Sequence, residues 1–195
     1  MKNIILISAA LLLGSLLIWL NAADVVVYPR STGYPYSCPV PKTRQMNSYA
    51  TGDDGDLETG IAWPATRFVE LANTNCILDN LTGLIWMRLP HHFIPTNWSG
   101  AINDCNTLDF GGETDWRLPN VREMYSLADA SRTDPAAADS SGLFNGVQGG
   151  SEGYWTSTSR ASDPTAQAWS VRFVVGSCNV EPKTNYLYTW AVRGP

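Results

Sequence analysis

The segment 115–129, DWRLPNVREMYSLAD, constrains the fold most strongly because it contains a complete signal for the start of a helix. Pro119 ends the preceding element, Asn120 is a capping residue, and Glu123 stands where it closes a capping box. One face of the following residues is apolar at helical spacing, formed by Val121, Met124, Tyr125 and Ala128. The segment therefore predicts an amphipathic helix over 120–130 that packs on a sheet, with Trp116 in the core.

Other elements follow from periodicity. A second helix is predicted to begin near Asn97 or Trp98, because apolar residues share one face from there to Leu108. Leu143 and Phe144 are expected to plug the core from a long loop. Strands are predicted at 67–71, 84–87, 154–158, 169–173 and 186–192. Runs of helix and strand that do not alternate indicate an α+β domain, with two helices packed on a short twisted antiparallel sheet.

The N-terminal residues 1–23 are typical of an export signal. A basic start at Lys2 precedes an apolar run and small residues, and no clean cleavage site is present. Two outcomes stay open: cleavage, or retention as an uncleaved anchor that would be the chain's contact with a membrane. The predicted location is periplasmic, cell-surface or extracellular.

The cysteines are interpreted in the light of export. Four are present, all beyond the signal: Cys38, Cys76, Cys105 and Cys178. An oxidising compartment favours two disulfides of unspecified pairing. Zinc is the less favoured alternative, because there is no C-x-x-C and the two histidines, His91 and His92, are adjacent.

The remaining residues suffice for one domain, 67–195, preceded by an extended Pro/Gly/Asp-rich lead-in, 24–66. The formal net charge of -5 argues against a surface for nucleic acid. Within the lead-in, four carboxylates among glycines form a weak candidate calcium site, with a solvated acidic turn as the favoured alternative: Asp53, Asp54, Asp56 and Glu58. No other cofactor is predicted.

Several motifs together resemble the Lcl C-terminal domain family, named from a Legionella collagen-like adhesin. The longest are DNLTGLIWM at 79–87 and DWRLPNVRE at 115–123. The others lie in the family's order at 38–43, 49–56, 60–64, 154–158 and 190–194. The resemblance implies an exported bacterial domain with a C-type-lectin-like fold. It also implies a role in attachment, although the acidic balance here does not suit sulfated polysaccharides, and the motifs of calcium-dependent lectins are missing.

Three classes of function are compatible with these observations. The favoured one is a non-enzymatic binding or adhesion module that recognises a glycan or a surface protein through exposed aromatic rings with polar neighbours. The candidate ligand-binding residues are Trp155, Trp169, Arg172, Asn185, Tyr186, Tyr188 and Trp190. The alternative is a structural or assembly component of the envelope, with self-association through an apolar patch. An enzyme is disfavoured, because no nucleophile motif is visible.

Overall fold

The computed structural model describes residues 40–72, 75–132, 142–148 and 153–194. Residues 1–23, predicted as an export signal, and Cys38 lie outside the described residues. Within the described parts of the chain, no helix is both long enough and apolar enough to traverse a bilayer.

Two antiparallel sheets form the domain, so the α+β prediction is confirmed. The first sheet has the order β1-β2-β3-β7 and consists of β1 (Phe68–Leu71), β2 (Cys76–Asp79), β3 (Ile85–Met87) and β7 (Val192–Arg193). The second has the order β4-β5-β6 and consists of β4 (Tyr154–Ser159), β5 (Gln167–Arg172) and β6 (Ser177–Pro182). The helices are α1 (Asp54–Leu57), α2 (Trp98–Asn106) and α3 (Val121–Tyr125).

The capping box before α3 is confirmed. The Asn120 side chain accepts hydrogen bonds from the Arg122 and Glu123 amides, and the Glu123 carboxylate accepts the Asn120 amide at 2.8 Å. The helix ends at Tyr125, five residues earlier than predicted at Ala130. After Ser126 the chain turns, which buries Leu127 completely and leaves Tyr125 partly exposed. The helix ends early because the turn after Ser126 buries Leu127 in place of Tyr125, which the helical pattern placed on the buried face.

Aromatic rings fill the space between the sheets. Trp86 and Trp116 are buried as predicted. Phe144 is confirmed as a plug: its ring lies 5.1 Å from that of Phe68 and 5.1 Å from that of Trp190, both edge-to-face. Edge-to-face packing of this kind adds to the stabilisation that burial provides.

Two parts of the sheet prediction are wrong. The segment 186–192 is not one strand. Within this segment, isolated β-bridges are formed at Leu187, Tyr188 and Val192, and strand β7 contains only two residues. The alternation in β5 also fails, because Ser170 is buried whereas Trp169 is partly exposed. The reason is that both faces of β5 are partly covered, since Ala168 and Ser170 are buried on one face and Val171 is buried on the other.

Candidate functional site

Two of the candidate binding residues belong to the core. Trp155 and Trp190 are completely buried, and their indole N–H groups donate to the carbonyls of Thr96 at 2.9 Å and Met87 at 2.8 Å. A completely buried indole whose N–H group is already hydrogen-bonded cannot contact a ligand. These two residues are therefore removed from the candidate set.

Trp169 and Tyr188 are partly buried supports. The Trp169 carbonyl accepts a hydrogen bond from the Thr156 hydroxyl at 2.7 Å. The Tyr188 ring packs at 5.6 Å on that of Tyr154, and the Tyr188 backbone bridges β4.

Glu181 joins two of the three remaining candidates, Arg172 and Asn185. Its two carboxylate oxygens accept hydrogen bonds from Arg172 Nη2 at 2.7 Å and Asn185 Nδ2 at 3.1 Å. The register of β5 and β6 places Arg172 and Glu181 on the same face. Tyr186 follows Asn185 and is 66% exposed. We call Arg172, Glu181, Asn185 and Tyr186 the Glu181 surface.

Two buried polar atoms beside this surface have unused hydrogen-bonding capacity. The hydroxyl of Ser170 and Nε of Arg172 are buried without a hydrogen-bond partner among the described residues. Gly153 allows close approach here, because a Cβ at that position would lie 3.1 Å from Cγ of Arg172 and 3.3 Å from the Ser170 hydroxyl. Buried polar atoms without partners are uncommon in folded proteins, and they mark places where water or a ligand is accommodated.

Sequence reasoning missed Glu181 as a site residue. The strand that positions it, β6, has the sequence SCNVEP, which lacks large alternating apolar residues. The available signal was the spacing of two polar residues. Asn179 lies two residues before Glu181, so both side chains are on the same face of an extended chain.

The four acidic candidates for calcium are used in local structure. Asp53 caps α1, and its carboxylate accepts the amides of Tyr49 at 2.7 Å and Asp56 at 2.9 Å. The Tyr49 amide, with other backbone donors, lowers the pKa of Asp53. Glu58 pairs with Lys42 at 3.0 Å. Among the described residues no cluster of three or more His, Cys, Asp or Glu side chains is arranged to hold a metal.

The prediction of two disulfides is wrong. Cys105 and Cys178 are free thiols, which leaves at most one bridge among four cysteines. Cys76 and Cys105 are buried in the core, where cysteine packs as a small apolar side chain. Burial raises the pKa of Cys105 to about 12 and also raises that of Cys178.

The Arg117–Glu123 pair fixes the start of α3. Two bonds of 2.8 Å join the guanidinium to the carboxylate. Burial acts to raise the pKa of Glu123, but the bonds from Arg117 and the Asn120 amide outweigh it and hold that pKa below the usual value. The pair therefore stabilises the fold while Glu123 is ionised.

Acid should weaken this contribution. A carboxyl whose pKa is lower in the folded state stabilises the protein above its unfolded pKa, and the stabilisation is lost as pH falls through the folded pKa. We expect Glu123→Gln to cost about 1 kcal/mol at pH 7 and less at pH 3. Urea unfolding at both pH values measures this difference, and an equal cost at both would contradict the assignment.

These features define a small α+β domain that presents a polar, aromatic-edged surface on a sheet. The chain belongs to the Lcl C-terminal domain family: the family model matches residues 75–193. The match includes the Arg117–Glu123 pair and the Glu181 surface, whereas the segment before residue 75 lies outside it. No curated protein matches the chain.

Proposed function

We propose that this protein is an exported, non-enzymatic binding module that recognises a glycan at the Glu181 surface. The observation that carries the proposal is the hydrogen-bonding network of Arg172, Glu181 and Asn185, followed directly in the chain by the exposed Tyr186. Glycans need both features, because a sugar ring has an apolar face that packs on an aromatic side chain and a rim of hydroxyls that need polar partners.

The network is suited to hydroxyl groups. Each carboxylate oxygen of Glu181 accepts one bond from the protein, which leaves lone pairs for sugar hydroxyls. The Asn185 side-chain carbonyl adds an acceptor, and Arg172 supplies donors. Because Arg172 and Glu181 neutralise each other, the surface favours an uncharged sugar over an anionic one.

The wider setting supports the same proposal. Family resemblance implies a C-type-lectin-like fold and a role in attachment, and the apolar segment 1–23 has the composition of an export signal. The thiols favour a binding role over catalysis, because burial raises the pKa of Cys105 and of Cys178 and so disfavours the reactive thiolate.

Glycan-array binding by the purified protein tests the proposal. Tyr186→Ala is expected to weaken binding at least about tenfold, which corresponds to about 1.4 kcal/mol for a lost stacking contact. Tyr49→Ala is the matched control, because Tyr49 is 83% exposed and is not part of the Glu181 surface. Binding is expected to persist with a calcium chelator; loss in chelator would instead favour the acidic segment 53–58.

Envelope assembly is the second candidate function. Ile94 is 83% exposed and Tyr186 is 66% exposed, and large apolar side chains of this kind are common at protein interfaces. Sedimentation at increasing protein concentration distinguishes the two functions. Self-association that Tyr186→Ala abolishes, together with an array on which nothing binds, would favour assembly over glycan recognition.

A further inference from the structure

Residues 40–63, which precede the family match, form an ordered element, although the sequence predicted an extended lead-in over 24–66. The Lys42 amide donates to the Ile61 carbonyl at 2.9 Å, and the Ile61 amide donates to Val40 at 2.8 Å. A Cβ at Gly60 would lie 2.6 Å from the Val40 carbonyl, so the two strands approach too closely for a side chain. Trp63 Nε1 donates to the Lys42 carbonyl at 2.9 Å and closes the element.

This element encloses a cleft of about 320 Å³. Small-ligand sites usually have volumes of roughly 300 to 1,000 Å³, so the cleft suits a small molecule. We call it the Trp63 cleft; the lining residues that matter here are Lys42, Arg44, Met46, Asp54, Glu58 and Trp63.

Arg44 lies over the cleft, and its guanidinium makes no hydrogen bond among the described residues. Its guanidinium lies 5.0 Å from the centre of the Trp63 ring, and its backbone has a left-handed φ of 68°. Its Nη1 forms an ion pair with Oδ2 of the buried Asp129 at 3.7 Å, beyond hydrogen-bond distance, while the other oxygen, Oδ1, accepts the Ser131 amide and hydroxyl. The Arg44 side chain is 37% exposed, so a ligand can reach it.

Asp54 provides the opposite charge. Its carboxylate accepts the Thr43 hydroxyl, a neutral partner, and no cation pairs with it among the described residues. Lys42 and Glu58, by contrast, pair with each other at 3.0 Å. Among the described residues, the lining thus has one guanidinium that makes no hydrogen bond and one carboxylate without a cationic partner, beside an apolar wall formed by Met46, Ala62 and Pro64.

We propose that the Trp63 cleft binds a zwitterionic α-amino acid with an apolar side chain. Arg44 receives the carboxylate, because a planar guanidinium donates two parallel bonds to such a group. Asp54 receives the ammonium group, and the apolar wall receives the side chain. This site is separate from the Glu181 surface, so either function can be present without the other.

Three matched probes test the charge assignment with the whole protein: L-leucine, L-leucinamide, which lacks the carboxylate, and N-acetyl-L-leucine, which lacks the ammonium group. Ligand-observed NMR titrations at equal ionic strength give the affinities. L-leucine is expected to bind at least about tenfold more tightly than either relative, because a charge-assisted hydrogen bond is lost in each.

Two variants assign each charge to its residue. Arg44→Gln should abolish the preference for L-leucine over L-leucinamide while keeping the preference over N-acetyl-L-leucine. Asp54→Asn should do the reverse. Arg122→Gln, which removes the same charge from the exposed face of α3, and Tyr186→Ala should leave all three affinities unchanged.

Thermal melting checks that each variant folds, and Arg44→Lys replaces Arg44→Gln if the latter does not. The lysine variant keeps the charge and loses the planar fork, so it should lose most of the discrimination against L-leucinamide. Equal binding of the three probes, no binding of any, or discrimination that survives Arg44→Gln would overturn the proposal.

Discussion

Trp190→Ala is expected to lower the free energy of unfolding by about 3–5 kcal/mol, the usual cost of removing a buried tryptophan. The Trp190 ring contacts rings from both sheets: Trp86 at 5.4 Å, Tyr154 at 5.6 Å and Phe173 at 6.2 Å. Its removal therefore leaves a cavity where the sheets meet, which their backbones cannot close without moving. Urea unfolding monitored by circular dichroism measures the loss.

Tyr186→Ala is the control for this experiment. It also removes an aromatic ring, but Tyr186 is 66% exposed, and such a surface change usually alters stability by less than about 0.5 kcal/mol. If Trp190→Ala unfolds at the same urea concentration as the parent, Trp190 is not a core residue and returns to the set of candidate binding residues.

The correct parts of the sequence prediction rest on local chemistry. The capping box depends on residues three positions apart, so Asn120 and Glu123 identify the start of α3 without any knowledge of the rest of the fold. Asn97 caps α2 in the same way, since its side chain accepts the Gly100 amide at 2.9 Å. All residues of such a capping signal lie within one turn of helix, so the start of the helix can be predicted from the local sequence alone.

The errors arise where long-range packing determines which residues are buried. Alternation along a strand shows which residues share a face, but not whether another element covers that face. Trp155 and Trp190 looked like candidates for a binding face, yet their indole groups donate to Thr96 and Met87, residues distant in sequence. Burial of that kind depends on which distant segments pack together, and the periodicity of the sequence carries no information about that packing.

The two candidate sites differ in how far the sequence could reveal them. Arg172, Asn185 and Tyr186 were predicted from residue type, and the structure adds Glu181, which connects the first two. Nothing in the order of residues 40–66 indicated the Trp63 cleft, because prolines and glycines there are typical of a loop. The cleft exists because a bridge between Pro41 and Ile61 folds the loop back on itself.

Asp79→Ala is also expected to cost about 3–5 kcal/mol, because it would leave the buried Arg67 without its counter-ion. The pair is almost completely buried, and two bonds of 2.8 Å join the guanidinium to the carboxylate. Asp79 also accepts the Leu81 amide at 3.0 Å and the Thr82 hydroxyl at 2.9 Å, and so holds the turn between β2 and β3. Urea unfolding again measures the loss.

Two further variants separate the buried charge from the loss of contacts. Asp115→Ala breaks a pair with Arg193, but the Asp115 side chain is 59% exposed, so a much smaller cost than that of Asp79→Ala is expected. The double variant Arg67→Met, Asp79→Leu should be less destabilised than Asp79→Ala, because no charge is then left unpaired in the core. If Asp79→Ala costs no more than Asp115→Ala, water reaches Arg67 and the pair is not part of a dry core.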